Sequence, residues 1–358
     1  MIPWHKEVWI GIVRMVSVIP TACARRLAAI SAVVALILVA CGTPATPSAP
    51  AGGAATSEPA ASAATAAPAG GAATSGGTTT GVTDGEIMLG SWGPQDGPAG
   101  AYGVIDRTIA AYFKMVNEQG GINGRQIKFV YENDSYQPAK TVAAVKKLAE
   151  EDKIFALIAG LGTPNNLAVM EYLVQNNIPH FAPATGSTLM SQPLKKNVFA
   201  LQVNYRVEAT LLTRYAVDTL KSQKIAVFYQ NDAFGKEGFE SVNAVLKERG
   251  LGEATGVTYE TSDTNYSSQA LKLQTSGADT VVIWAVPKPG GGIIAEMDKI
   301  GFKPKLLASA VINDPAIFQL AGSGIEGLVT TAWLPDFRDT SNPKIAAYQE
   351  FMKKYLPN

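Results

Sequence analysis

Thr163 stands directly ahead of Pro164, where the apolar run "IFALIAG" and the turn "GLGT" give way to a helical pattern. A hydroxyl beside the unpaired N–H groups of a helix start is chemistry suited to holding a carboxylate. Thr185 and Ser187, in "PATGST", place two more hydroxyls after the next apolar run. Trp92, Tyr102, Phe234 and Trp284 fall at similar strand ends and offer aromatic faces to an apolar ligand part. Lys288 joins them as a ligand-binding candidate. Each of these residue types also serves as a turn cap or a core aromatic, so the joint placement at strand ends carries the reading.

Other chemistries lack their residues. The chain of 358 residues has two histidines, His5 and His180, and His180 lies inside an apolar run, so no Ser-His-Asp or Cys-His arrangement is expected. Cys23 and Cys41 both precede the folded part, which excludes a disulfide or a Cys-ligated metal there. "GLGTPNN" and "KPGGG" both miss the phosphate-loop and dinucleotide templates. A formal charge of zero with scattered Lys and Arg leaves no footprint for nucleic acid. A binding protein without catalytic residue, metal or cofactor is expected.

The elements that must position these residues alternate. From Ile87 the chain reads "IMLGSWG" (strand), a helix with Ile105, Ile109, Tyr112, Phe113 and Val116 on one face, "QIKFVYEND" (strand), a helix opened by Pro138, "IFALIAG", a helix opened by Pro164, and "IPHFAPA". After "NVFALQVN" a second series predicts helices over 206–221, 236–249, 266–275, 291–300 and 314–321 between the strands "KIAVFYQN", "ATGVTYE", "DTVVIWAV", "KLLASA" and "GLVTTAW". Strands apolar throughout belong to parallel sheets with helices on both faces. The class is α/β: two Rossmann-like lobes with central, mostly parallel sheets and a ligand cleft between them.

Residues 1–40 read as an export signal, with Arg25-Arg26 ahead of the apolar run 27–40, too short to span a membrane; translation from Met15 would shorten its leading part. Leu38-Val39-Ala40-Cys41 resembles the lipobox of bacterial lipoproteins, which implies lipidation of Cys41 and a membrane anchor. Residues 41–83 follow as a disordered tether of Ala, Pro, Gly, Ser and Thr in which Glu58 is the only charge.

"GPAGAYG", "NEQGGINGRQIKFVYEND", "PATGST", "YQNDAFGKEG" and "GFKPKLLASA" together resemble the branched-chain amino-acid-binding family of ABC-transporter substrate-binding proteins, with the class I periplasmic-binding fold. The resemblance implies three crossovers, an N-terminal lobe of residues 84–203 plus 335–358, a C-terminal lobe of 204–334, and delivery of a small solute to an ABC permease. It also assigns Thr163 to the ligand carboxylate, Thr185 and Ser187 to the adjoining turn, and Tyr102 and Phe234 to covering aromatics. Where the family places an acid for the ligand ammonium, this chain has Ala310, which favours an aromatic or aliphatic carboxylate over a branched-chain or other amino acid. The family pattern runs on past Asn358, so a truncated chain is expected. The location implied is outside the cytoplasm, anchored to the outer face of the cytoplasmic membrane or in the periplasm. An extracytoplasmic ligand sensor is the alternative to import.

Overall fold

The computed structural model describes residues 79–357. The export signal, Cys41 and all of the tether up to residue 78 lie outside the described residues. The remaining tether residues belong to the folded part. Met88 N–H donates to the Gly81 carbonyl at 2.7 Å, and Thr83 Oγ1 accepts from Glu86 N–H at 3.0 Å.

The first sheet is built by β1 (Glu86–Gly93), β2 (Gln126–Asn133), β3 (Ala156–Ile158), β4 (His180–Phe181) and β5 (Val198–Phe199), in the order β2-β1-β3-β4-β5 and parallel throughout. Its crossovers are α1 (Val104–Glu118), α2 (Pro138–Lys146) and α3 (Thr163–Gln175). The second sheet repeats the winding. β6 (Ile225–Gln230), β7 (Thr255–Tyr259), β8 (Thr280–Trp284), β9 (Lys305–Ala308) and β10 (Val329–Thr330) run β10-β9-β8-β6-β7, also parallel. Around them lie α4 (Tyr205–Arg214), α5 (Ala233–Glu248), α6 (Ser267–Thr275), α7 (Pro287–Lys299) and α8 (Ala316–Ala321). α9 (Pro343–Tyr355) returns to the first lobe, where Phe351 meets the Tyr112 ring edge-on and the Tyr355 hydroxyl donates to Glu118 at 2.7 Å.

Burial explains the strands. Every residue of β8 is buried, because helices cover both of its faces. Phe228 and Ile283 sit in register on β6 and β8, with Tyr259 stacked on Phe228 at 4.9 Å. The core of the first lobe gathers Trp92, Val145, Leu148, Leu157, Val169 and Leu173.

Several expected elements are shorter. β4 and β5 have two residues each, since Pro179 and Pro183 flank β4 and have no N–H to extend its ladder. The helix expected over 206–221 begins at Tyr205, capped by Asn204, and its last turns, Tyr215–Thr219, are π-helical. α5 starts three residues ahead of expectation because Asp232 caps it, accepting from Phe234 N–H at 2.9 Å. No helix among the described residues is long and apolar enough to cross a membrane.

Candidate functional site

The switch in strand order falls between β1 and β3 in the first sheet and between β6 and β8 in the second, and residues at the ends of these strands meet between the lobes. The turn from β3 into α3 needs Gly162, whose φ is +99°; a Cβ there would lie 2.4 Å from Asn165 Oδ1. Asn166 Nδ2 ties the turn down by donating to the Gly160 and Gly162 carbonyls, both at 2.8 Å. Thr163 is thereby fixed, with its Oγ1 2.7 Å from Thr185 Oγ1. Thr185 Oγ1 accepts from Ser187 N–H at 3.1 Å. The three hydroxyl residues expected from sequence are thus brought together, all buried. Among the described residues the Thr163 and Asn165 N–H groups meet no backbone carbonyl, so two donors of the α3 start remain beside the hydroxyls.

The lobes touch along this edge. Tyr102 donates its hydroxyl to the Val311 carbonyl of the second lobe. Burial raises that hydroxyl far above the usual tyrosine range, with further contributions from Tyr205, Tyr136, Asp314 and Glu208. Gln230 Nε2 donates to the Tyr136 hydroxyl at 3.3 Å, and Tyr259 donates to Gln230 Oε1 at 2.8 Å. Ala99, Tyr136 and Leu161 of the first lobe pack with Val286 of the second. Burial pushes the Tyr205 hydroxyl up to about 12, opposed by the Gly186 N–H and the Thr185 hydroxyl.

Other candidates stand elsewhere. Trp92 is fully buried in the core of the first lobe, where its Nε1 donates to the Leu161 carbonyl at 3.2 Å and its ring tilts on His180 at 5.1 Å. Phe234 and Trp284 pack with Tyr205 inside the second lobe, with ring centroids 5.2 Å and 5.8 Å from it. Lys288 is exposed on the first turn of α7. The Ser187 hydroxyl is engaged by Glu237 of α5 at 2.7 Å. A groove of about 420 Å³ lies away from the contact between the lobes, between α1 and β2.

Sequence reasoning missed Tyr136, Tyr205, Glu208, Gln230 and Glu237. Tyr136 and Gln230 carried a signal, for both lie at or just after strand ends. Glu208 carried none: it sits in an amphipathic helix, yet it is buried, with Oε1 accepting from Ala310 N–H at 2.6 Å and from the Thr331 hydroxyl. A carboxylate therefore occupies the neighbourhood that the sequence at Ala310 left uncharged. Among the described residues no group of three His, Cys, Asp or Glu could hold a metal ion.

Two parallel sheets of like winding, meeting at their carboxyl edges over buried hydroxyls and tyrosines, define a two-lobed solute-binding protein. The chain belongs to the periplasmic binding protein family, whose model matches residues 86–358. Leu/Ile/Val-binding protein homolog 3 of Brucella melitensis is 24% identical over 277 residues, 76% of this chain and 73% of that protein. A branched-chain amino acid ABC transporter protein from Thermus thermophilus, solved with bound valine, superposes with a TM-score of 0.68 at 22% identity over 77% of this chain and 72% of that one. A fatty acid ABC transporter substrate-binding protein from Thermomonospora curvata gives 0.70 at 22% identity over 79% and 72%. These two structures speak for the fold alone. The relatives are binding proteins, and this chain is one rather than an enzyme.

Proposed function

We propose that the protein is an extracytoplasmic receptor that captures a small carboxylate or amino-acid-like solute between its lobes and delivers it to an ABC importer. The observation that carries this reading is the 2.7 Å pairing of the Thr163 and Thr185 hydroxyls at the start of α3. Their mutual bond uses one hydroxyl proton, so the remaining hydroxyl proton and two helix-start N–H groups make a donor set for one carboxylate. Tyr102 closes over the same edge, and the relatives named for Leu/Ile/Val, valine and fatty acid all concern solutes with a carboxylate. Residues 84–203 with 335–358 form the first lobe and 204–334 the second in this reading.

Cys41 is the lipid attachment point in the same proposal, and the tether holds the lobes near the outer face of the membrane. Replacing Cys41 with Ser is expected to release the exported protein from membranes; unchanged retention would count against the anchor.

The functional reading is tested by thermal shift with valine, leucine, isovalerate and longer fatty acids. A ligand at about 1,000 times its Kd adds about 4 kcal/mol to stability, so a true ligand gives a clear shift. No shift with any carboxylate would contradict it.

A further inference from the structure

Glu237 lies in the second turn of α5, half-buried, and reaches across to the first lobe. Its Oε2 accepts from the Ser187 hydroxyl at 2.7 Å and its Oε1 from Thr188 N–H at 2.9 Å. No Lys or Arg pairs with it among the described residues. Both oxygens are thus held by one turn of the other lobe, in charge-assisted bonds stronger than neutral ones. That turn continues to the paired hydroxyls, since Ser187 N–H donates to Thr185 Oγ1, which meets Thr163 Oγ1. A continuous hydrogen-bonded line runs from Thr163 through Thr185 and Ser187 to Glu237.

We propose that Glu237 is a positioning residue that couples lobe closure to solute capture. It clasps the 187–188 turn only when the lobes meet, and in doing so fixes Thr185 against Thr163. Separated lobes leave the carboxylate in water and free both donors, so the contact favours the closed arrangement alone. A group that biases the lobes without touching the solute scales the apparent affinity by the closed fraction, equally for every solute. A group that touches the solute discriminates among solutes instead. The solute half of this inference rests on the function proposed above; the closure half does not.

The test compares Glu237→Ala and Glu237→Gln with wild type in the full chain, by amide exchange and by calorimetry with valine and isovalerate. In Glu237→Ala the Thr188 amide is expected to exchange faster while the Val227 amide of β6 keeps its rate. Both probes are expected to bind about tenfold more weakly, by one common factor, a change of about 1.4 kcal/mol. Glu237→Gln keeps one acceptor and is expected to fall between. Unchanged exchange at Thr188 would overturn the clasp, and unequal factors for the two probes would make Glu237 a solute contact instead. If wild type binds neither probe nor any other carboxylate of the thermal-shift set, the functional reading fails, and Thr188 exchange still decides the clasp.

Discussion

Glu208 Oε1 stands 2.6 Å from the Ala310 nitrogen, so a carboxylate from α4 fills the place where the loop after β9 offers only a methyl group. No Lys or Arg pairs with Glu208 among the described residues, and its charge contributes to the raised Tyr102 hydroxyl at the lobe contact. A buried anion without a cation is costly, and an ammonium group on the solute would relieve that cost. This removes the ground for preferring carboxylates without an amine.

Glu208→Gln keeps an acceptor for Ala310 N–H and removes the charge. It is expected to weaken valine by at least about tenfold, the scale of one charged hydrogen bond, and to leave isovalerate nearly unchanged. Calorimetry with this pair checks it, because the two solutes differ only in the amine. Equal losses for both would show that Glu208 only braces the loop.

His180 and Asp106 make opposite contributions to acid stability. His180 is fully buried, both ring nitrogens lack partners, and burial lowers its pKa to about 3 from 6.5. The unfolded chain binds the proton first, so stability falls as pH drops below 6.5 and continues to fall toward 3, by about 1.4 kcal/mol per pH unit. Burial raises Asp106 to about 6 from 3.8, opposed by the Ser91 hydroxyl and Gln95. Here the folded chain binds the proton first, so stability rises as pH drops from 6 toward 3.8. Relative to wild type, His180→Leu is expected to gain stability progressively as pH falls from 6.5, and Asp106→Asn to lose it between 6 and 3.8. Urea midpoints across this range check both signs, and parallel profiles for wild type and variants would contradict the burial argument.

Gly238 lets α5 lie on Trp284. A Cβ there would stand 2.4 Å from the indole, which is fully buried and cannot swing aside. Gly238→Ala is expected to cost about 1–3 kcal/mol, as overpacking does. An unchanged denaturation midpoint would contradict this packing.

The strands of the second lobe were legible in the sequence because "IAVFYQ" and "TVVIW" are apolar on both faces, a pattern that helices on each side of a sheet impose. Thr163 was legible for a local reason, a hydroxyl at a strand end with Pro164 opening the next helix, and Thr185 as a hydroxyl just past the following apolar run. Trp92, Phe234 and Trp284 were not separable from core residues, since an aromatic at a strand end reads alike whether it faces a cleft or a helix. Glu208 and Glu237 were hidden more deeply. In one helix a glutamate looks like a solvated face, and only the approach of Ala310, Ser187 and Thr188 from distant parts of the chain gives these two a role.

Calorimetric titration of wild type and Thr163→Val with valine and isovalerate tests the central claim most directly. Valine is isosteric with threonine, so the exchange removes the hydroxyl paired with Thr185 at 2.7 Å without opening a cavity. The account expects wild type to bind at least one of the two solutes, and Thr163→Val to bind it about ten- to hundredfold more weakly, the effect of about 1.5–3 kcal/mol for a lost bond to a charged oxygen. Binding of equal strength in both proteins would contradict the carboxylate anchor at Thr163.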